Sequence, residues 1–243
     1  MLDVSGKWAL LTGASRGIGR HVALALADCG CRLILHSRRL DHTATLAQQL
    51  LERGLTVHTL AAELEDHEQV LALGNQALRI SGGLDILFNN AAIQTPWHEE
   101  IFATDPDEYR RSFQVNTIAP ITLSNLVLPG MIERGFGRIV NVTSGIEDQP
   151  QLMAYAASKA ALDKYVRDMA PYLAGTGVAM NLLDPGWLRT DLGGPQAPNA
   201  VESVLPGALV PVLVEDGISG RWFSAQDYAS RSNPGEPTIT GSS

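Results

Sequence analysis

A glycine-rich stretch near the N-terminus is the feature that most constrains the fold. An apolar run over residues 8–12 stops at Gly13, and a helical apolar pattern then continues to Gly30. A strand, a glycine turn and a helix in this order are the parts of a mononucleotide-binding unit. Gly13 permits a tight turn, Gly17 allows the backbone to approach a pyrophosphate, and Gly19 allows close packing of the helix. The alternative interpretation is an ordinary glycine-rich strand–helix turn.

The same alternation of apolar runs and helical patterns continues along the chain. We therefore predict an α/β fold: a single-domain, doubly wound (Rossmann) parallel sheet of about seven strands with helices on both faces. The domain is expected to span residues 1–230, and the polar residues 231–243 are expected to form a disordered tail. The predicted strands cover residues 8–12, 32–36, 56–61, 84–88, 137–142, 178–183 and 219–224.

Composition excludes several classes of partner. The 243 residues carry a net charge of −8 and contain no basic run, so nucleic acid is not expected as a partner. Two cysteines, Cys29 and Cys31, are too few and too close together for a disulfide framework or a zinc site, so we expect no metal and a cytoplasmic location. No uninterrupted apolar run reaches the ~18–20 residues of a membrane span, and no membrane partner is expected.

Tyr155 and Lys159 are four residues apart within a helical pattern, so both side chains leave the same face of the helix. A cation beside a phenol favours the phenolate, which a tyrosine with a pKa near ~10 needs if it is to exchange protons near neutral pH. Such pairs are also common on solvated helix faces. The spacing indicates chemistry only together with the rest of the chain.

Other polar or turn residues follow the predicted strands directly. Gly13, Asn90, Ser144 and Pro185 each come just after a strand. Because the carboxyl ends of parallel strands meet at one edge of a sheet, these positions are expected to line one cleft.

Five motifs resemble the short-chain dehydrogenase/reductase family over nearly the whole chain. They are TGASRGIG at 12–19, NNAA at 89–92, VNT at 115–117, YAASK at 155–159 and PGWLRT at 185–190. Ala92 stands where the family has glycine. Alanine would be strained there if the position requires a positive φ, and would fit if the position requires only a small side chain.

The resemblance implies a catalytic set of Asn116, Ser144, Tyr155 and Lys159. Ser144 would bind the carbonyl oxygen, Tyr155 would be the acid/base, Lys159 would hold the nicotinamide ribose and lower the Tyr155 pKa, and the Asn116 carbonyl would hold a water. It also implies a set of cofactor-binding residues: Gly13, Ser15, Arg16, Gly17, Ile18, Gly19, Ser37, Arg38, Glu63, Leu64, Asn90, Ala91, Ala92, Tyr155, Lys159, Pro185, Gly186, Leu188 and Thr190.

The end of the second strand indicates which cofactor is preferred. Many dinucleotide binders place an acidic residue there, but this chain has Ser37 followed by Arg38. Arginine binds phosphate through its planar fork, and Arg16 in the glycine turn could reach the same group. NADP(H) is therefore the preferred cofactor, with NAD(H) possible. Arg39 is interpreted as a solvated surface residue.

Trp97, Ile146 and Trp187 are the candidate substrate contacts, although packing alone would explain the tryptophans. No partner for His98 is evident in the sequence, so it is not expected to act as a base. The predicted function is NADP(H)-dependent hydride transfer to or from a small carbonyl or alcohol. Alternatives are a 3-oxoacyl thioester reductase, a sugar or polyol dehydrogenase, or a non-catalytic NADP-sensing regulator. A homodimer or homotetramer is expected by resemblance.

Overall fold

The computed structural model describes residues 1–230, so the tail predicted over 231–243 lies outside the described residues. Seven strands alternate with helices along this part of the chain. The strands are β1 Trp8–Leu11, β2 Arg32–Ser37, β3 Val57–Ala61, β4 Ile86–Asn89, β5 Gly137–Val142, β6 Val178–Asp184 and β7 Trp222–Ser224. All pair in parallel in the order β3-β2-β1-β4-β5-β6-β7, which confirms the predicted doubly wound sheet.

The helices pack on both faces of this sheet. They are α1 Gly17–Asp28, α2 Asp41–Glu52, α3 His67–Ser81, α4 Pro106–Phe113, α5 Ala119–Glu133, α6 Met153–Leu173 and α7 Val210–Leu213. One apolar core lies between the sheet and α1, α2 and α7. A second core lies between the opposite face and α3, α5 and α6. Covering both faces explains why the strands are almost continuously apolar.

The order of the strands determines where a crevice opens at the edge of the sheet. Strands that follow one another in sequence run outward from β1 to β3, and then the chain returns to β4 on the other side of β1. At this reversal the loops after β1 and β4 diverge to opposite faces and leave a crevice at the carboxyl ends of the strands. The glycine turn, Asn90 and Ser144 all lie on this edge.

The last predicted strand is shorter than expected. It covers only Trp222–Ser224, because Gly220 has a φ of +83° and its N–H donates to the carbonyl of Met180 before the regular ladder begins. Residues 201–214 form 3-10 turns at Val201–Val204 and Gly207–Leu209, followed by α7. Pro206 lies between the two turns, where proline cannot donate to a continuous helix.

A continuous helical segment, Pro106–Glu133, joins α4 to α5 through a π-helical turn at Gln114–Ile118. By length and composition it could cross a membrane, but 56% of its apolar window is buried inside the protein. The core helix of a soluble protein passes the same test, so this feature is weak evidence for a membrane span.

Candidate active site

Three positions of the turn after β1 require glycine for conformation or space. Gly13 and Gly17 have φ values of +67° and +53°, in the left-handed region that glycine tolerates. A Cβ on Gly19 would lie 2.1 Å from the carbonyl oxygen of Gly13. The glycines therefore allow the turn to close on itself at the start of α1, as the sequence indicated.

Polar side chains beneath the turn hold its backbone. The Asn90 amide donates to the carbonyls of Thr12 and Gly13 at 2.9 and 3.1 Å. The Thr12 hydroxyl accepts from the backbone N–H groups of Asn90 and Ala91, both at 3.0 Å. The Asn90 side chain thus joins the end of β4 to the glycine turn.

His36 is a support of this turn that the sequence reasoning missed. It is buried, its Nδ1 accepts from the N–H of Gly13 at 3.3 Å, and its Nε2 lies 3.1 Å from the carbonyl of Ala62. Burial lowers the pKa of His36 to about 4, so the ring is neutral at pH 7 and one nitrogen remains an acceptor. A histidine inside the apolar run of β2 is a signal that could have identified it.

The N-terminus of α1 is open to an anion. Arg16 is its N-cap residue and makes no side-chain cap hydrogen bond, and the first turn contains no acidic residue. The first backbone N–H groups of a helix need acceptors from outside it, and the helix dipole favours negative charge there. This end of α1, beside the close-packed glycines, suits the pyrophosphate of a dinucleotide.

The residues predicted to recognise the adenosine end of the cofactor differ in their exposure to solvent. Arg38 is exposed at the end of β2, whereas Ser37 is buried and its hydroxyl donates to the carbonyl of Arg39 at 2.6 Å. Glu63 is exposed and Leu64 is buried. An exposed guanidinium at this edge can meet a 2′-phosphate.

The exposed Arg16 side chain forms an ion pair. Its guanidinium pairs with Asp191 at 2.6 Å, and both side chains are largely exposed. The pair connects the glycine turn to the loop after β6. On the same side, Thr190 Cγ2 lies 3.4 Å from the position that a Cβ on Gly17 would take.

Ala92 adopts a backbone conformation that suits alanine. Within residues 1–230, Asp148 is the only residue other than glycine with a positive φ. The family glycine is therefore not required here for its conformational freedom. The second interpretation, a need for small size alone, agrees with the structure.

The loop after β6 is held by hydrogen bonds to Gln226 and between its own residues. The carbonyl of Pro185 accepts from the side chain of Gln226 at 2.8 Å, and the N–H of Gly186 donates to Asp184 at 3.0 Å. Leu188 is buried, and the Thr190 hydroxyl accepts from the N–H of Gly193. Gln226 gave no signal in the sequence, because it lies in the polar segment after the last strand.

Ser144 and Tyr155 meet at the end of β5. The Tyr155 side chain is buried at the start of α6, and its hydroxyl lies within interaction range of Ser144. Burial raises the pKa of Tyr155 and the charge of Asp184 raises it further, whereas the interaction with Ser144 lowers it. A neutral phenol can donate a proton to an oxygen held beside Ser144.

Lys159 is buried one turn further along α6, and its Nζ donates to the carbonyl of Val142 at 2.8 Å. Nζ lies 5.8 Å from the centre of the Tyr155 ring. Burial lowers the pKa of Lys159 to about 8. Burial is therefore the largest influence on the pKa of Tyr155, and the Lys159 ammonium is held by the carbonyl of Val142.

Asn116 lies in the π-helical turn between α4 and α5, and it is fully buried. Its side chain bonds to both backbone polar groups of Ile93 at 2.9 Å, and its amide donates to the Ser158 hydroxyl at 3.0 Å. Single π-helical turns within α-helices are frequent at functional sites. Asn116 thus joins the loop after β4 to the residue next to Lys159.

The three candidate substrate residues do not gather around one cavity. Ile146 lines a cavity of about 410 Å³ together with Met153 and Ala156. Trp97 is half-exposed, and Trp187 is exposed with its indole N–H donating to the carbonyl of Gly193 at 2.7 Å. Of the three, Ile146 is the one that lines this cavity.

His98 has a partner that is not evident in the sequence. Its Nε2 lies 2.9 Å from a carboxylate oxygen of Glu108, on α4. Its backbone N–H donates to the carbonyl of Gln151, in the loop that leads to Tyr155. Sequence reasoning did not find the pair because the two residues are ten apart and only the turn before α4 brings them together.

Comparison with protein families adds to this geometry. A family model described as short chain dehydrogenase matches residues 7–200. A short-chain type dehydrogenase/reductase from Picea abies is 31% identical over 92% of this chain and 90% of its own length. A short chain dehydrogenase from Pseudocercospora fijiensis is 35% identical over 79% of this chain and 63% of its own length.

Solved structures of similar proteins share the fold. A 3-oxoacyl (acyl-carrier-protein) reductase from Agrobacterium tumefaciens with NADP bound is 28% identical, with a TM-score of 0.81 over 91% of this chain and 93% of that one. A 7α-hydroxysteroid dehydrogenase complexed with NADH and 7-oxo glycochenodeoxycholic acid is 25% identical, with a TM-score of 0.82 over the same shares of the two chains.

Proposed function

Because the chain belongs to the short-chain dehydrogenase/reductase family, whose members act on CH–OH and C=O groups, we propose that it is an NADP(H)-dependent oxidoreductase of a small carbonyl or alcohol. The observation that carries the proposal is the meeting of Ser144 and Tyr155 beside the buried Lys159. This group lies on the same edge of the sheet as the open N-terminus of α1.

Each member of the catalytic set has a role that its position supports. Bound NADPH would supply the hydride. The Ser144 hydroxyl, which lies within interaction range of the Tyr155 hydroxyl, orients the substrate oxygen beside it. Tyr155 donates its proton to that oxygen in reduction and accepts it in oxidation.

Lys159 and Asn116 act around this pair. The Lys159 ammonium places a positive charge near the phenol, which favours the phenolate that forms when the proton leaves. Asn116 holds the loop after β4 against Ser158 and so maintains the shape of the cleft next to Lys159.

NADP(H) is the proposed preference over NAD(H). Arg38 is exposed where many NAD binders carry an acidic residue, and Arg16 is exposed at the glycine turn. Both could bind a 2′-phosphate if Arg16 leaves Asp191. The similar proteins bind either cofactor, NADP in the reductase from Agrobacterium and NADH in the hydroxysteroid dehydrogenase.

Two other substrate classes remain as candidates within the same chemistry. Reduction of a 3-oxoacyl thioester is supported by the likeness to the 3-oxoacyl reductase, and oxidation of a sugar or polyol is the other. A non-catalytic NADP-sensing regulator is the candidate from another class. It would have no chemical need for the complete set of Asn116, Ser144, Tyr155 and Lys159.

We also propose a cytoplasmic homodimer or homotetramer. An apolar groove on α4 and the following turn supports self-association; Tyr109, Phe113 and Ile118 line it, and Ile118 is 41% exposed. Exposed apolar grooves on a soluble protein favour contact with another chain.

The test is cofactor oxidation against a panel of ketones, 3-oxoacyl thioesters and sugar ketones, with NADPH and NADH in parallel. Parent protein should oxidise NADPH with at least one class, and Tyr155→Phe should reduce the rate about 10²–10⁴-fold, since it removes the acid. Tight NADPH binding with no turnover of any class would favour the regulator. Turnover at an equal rate by Tyr155→Phe would exclude the proposed mechanism.

A further inference from the structure

The end of β5 holds two successive turns of α6 through two consecutive residues. The carbonyl of Val142 accepts from Lys159 Nζ at 2.8 Å. The hydroxyl of the next residue, Thr143, donates to a carboxylate oxygen of Asp163 at 2.5 Å. Asp163 is one turn beyond Lys159, and the residue after Thr143 is Ser144. These two hydrogen bonds therefore hold the end of β5, and with it Ser144, next to the helix that carries Tyr155 and Lys159.

The surroundings of Lys159 leave its charge with few partners. The ammonium is buried, and the hydrogen bond to Val142 is the one described for it within residues 1–230. An isolated buried ammonium tends to lose its proton, because a low dielectric disfavours the charged form. Asp163 is the carboxylate whose charge opposes this loss.

The other charged groups around this corner come from two elements. Asp184 at the end of β6 acts on both Tyr155 and Asp163, and raises the pKa of each. Arg167, one turn beyond Asp163 on α6, acts in the opposite direction on the Asp163 carboxyl. Burial is the largest influence on Asp163 and raises its pKa, while the hydrogen bond from Thr143 lowers it.

We propose that Asp163, held by Thr143 one helical turn beyond Lys159, is a positioning residue that keeps Lys159 protonated at the end of β5. The proposal rests on the proposed function for its consequence, because a protonated Lys159 matters only if Tyr155 exchanges a proton. Asp163 itself does not reach the reacting atoms. It acts through the charge and the position of Lys159.

A purely structural role for Asp163 would be to accept the hydrogen bond from Thr143. Asp163→Asn separates the two roles, because the amide oxygen can still accept from Thr143 while the negative charge is removed. Asp168→Asn is the matched control. Asp168 is exposed on the same helix, where it pairs with Lys164.

The experiment is a titration of Lys159 by NMR of protein labelled with ¹³C-lysine. The chain has only three lysines, Lys7, Lys159 and Lys164, so Lys7→Arg and Lys164→Arg identify the remaining signal. Lys159 should titrate near pH 8 in the parent. Asp163→Asn should lower this midpoint by about half a unit or more, and Asp168→Asn should leave it unchanged.

An unchanged midpoint in Asp163→Asn overturns the proposal. If that variant does not fold, Thr143→Val gives the same comparison: it keeps both charges but releases the carboxylate, and its midpoint should also fall. The titration needs no substrate, so it is independent of the activity panel. Where the parent turns over a substrate, the alkaline limb of the rate profile should move down in Asp163→Asn by the same amount as the midpoint and return in Asp163→Glu. A limb that stays in place would count against the proposal.

Discussion

His36 beneath the glycine turn and Lys159 beside Tyr155 are both fully buried bases whose pKa values are lowered by burial. Their states at pH 7 are opposite. The pKa of His36 falls from 6.5 to about 4, so the imidazole is neutral, whereas that of Lys159 falls from 10.5 to about 8, so the ammonium keeps most of its charge.

The difference in charge between His36 and Lys159 reflects two different environments on the two sides of one cleft. The cofactor side is held by neutral hydrogen bonds, such as the one from Gly13 N–H to His36 Nδ1, and its charged groups are at the surface. The proposed catalytic side buries the charge of Lys159, on which the partly buried Asp163 acts, and Asp184 acts in turn on Asp163 and Tyr155. Function on the cofactor side is therefore expected to depend on backbone geometry, and function on the proposed catalytic side on electrostatics.

The largest effect is expected from Gly19→Ala on the cofactor side. The new Cβ would lie 2.1 Å from the Gly13 carbonyl, which is backbone, and 2.7 Å from the Asn90 amide, which two hydrogen bonds hold in place. We expect a loss of about 3 kcal/mol or more of unfolding free energy and loss of NADPH binding, measured by urea denaturation and fluorescence titration.

Gly130→Ala is the control for this substitution. Its Cβ would meet only the guanidinium of Arg134, at 3.0 Å, which can move away. Stability and NADPH binding should remain at the parent level. Intact NADPH binding in Gly19→Ala would contradict a cofactor side determined by backbone geometry.

His36 should make the protein sensitive to acid. The unfolded chain binds a proton on this residue below pH 6.5, and the native state does so only near pH 4. Stability therefore falls as the pH drops between these values, by about 3 kcal/mol in total for this one group. His36→Asn keeps an acceptor for Gly13 N–H and should remove most of this loss, as measured by urea denaturation from pH 7 to 4.

The exposed His42 is replaced in parallel, as His42→Asn, to control for loss of a surface imidazole. The comparison to make is the difference in stability between parent and variant at each pH. If parent and His36→Asn lose stability in parallel down to pH 4, then His36 is not the buried neutral base described here.

Lys159 should make both stability and activity depend on pH in the alkaline range. Its native pKa of about 8 lies below the unfolded value of 10.5, so the folded state gains stability from this group as pH rises between the two. Activity should change in the opposite direction. The rate of carbonyl reduction at low substrate should fall about tenfold per unit above pH 8, because the ammonium is lost. A rate that is flat to pH 10 would show that Lys159 need not be charged.

The smallest effect is expected from Asp191→Asn, which releases Arg16. Exposed ion pairs of this kind contribute about 0.2–1 kcal/mol, so NADPH should bind a few-fold more tightly while NADH binding changes little. Asp41→Asn is the matched control, since it releases Arg39, an exposed arginine that we interpret as a surface residue. Equal gains for NADPH and NADH would exclude Arg16 as a ligand of the 2′-phosphate.

Most of the fold could be predicted from local patterns. Apolar runs, glycine turns and helical periodicity identified all seven strands, and the errors fell where backbone conformation depends on distant contacts, as at Gly220 bonding to Met180. The motif residues could be placed at one edge of the sheet, because that requires only the direction of parallel strands. Partners far apart in sequence, such as His98 and Glu108, could not be found in this way.

The sequence by itself indicated the family, the edge of the sheet at which the motifs meet, and Ser144, Tyr155 and Lys159 as the candidate catalytic residues, since these follow from residue type and spacing. Only the tertiary structure decided which polar groups are buried and what they face. It turned Asn90 and His36 toward the glycine turn, and Lys159 toward Val142. The physical reason is that pKa values and hydrogen-bond partners depend on burial and on distances across the fold, and neither is written in the local sequence.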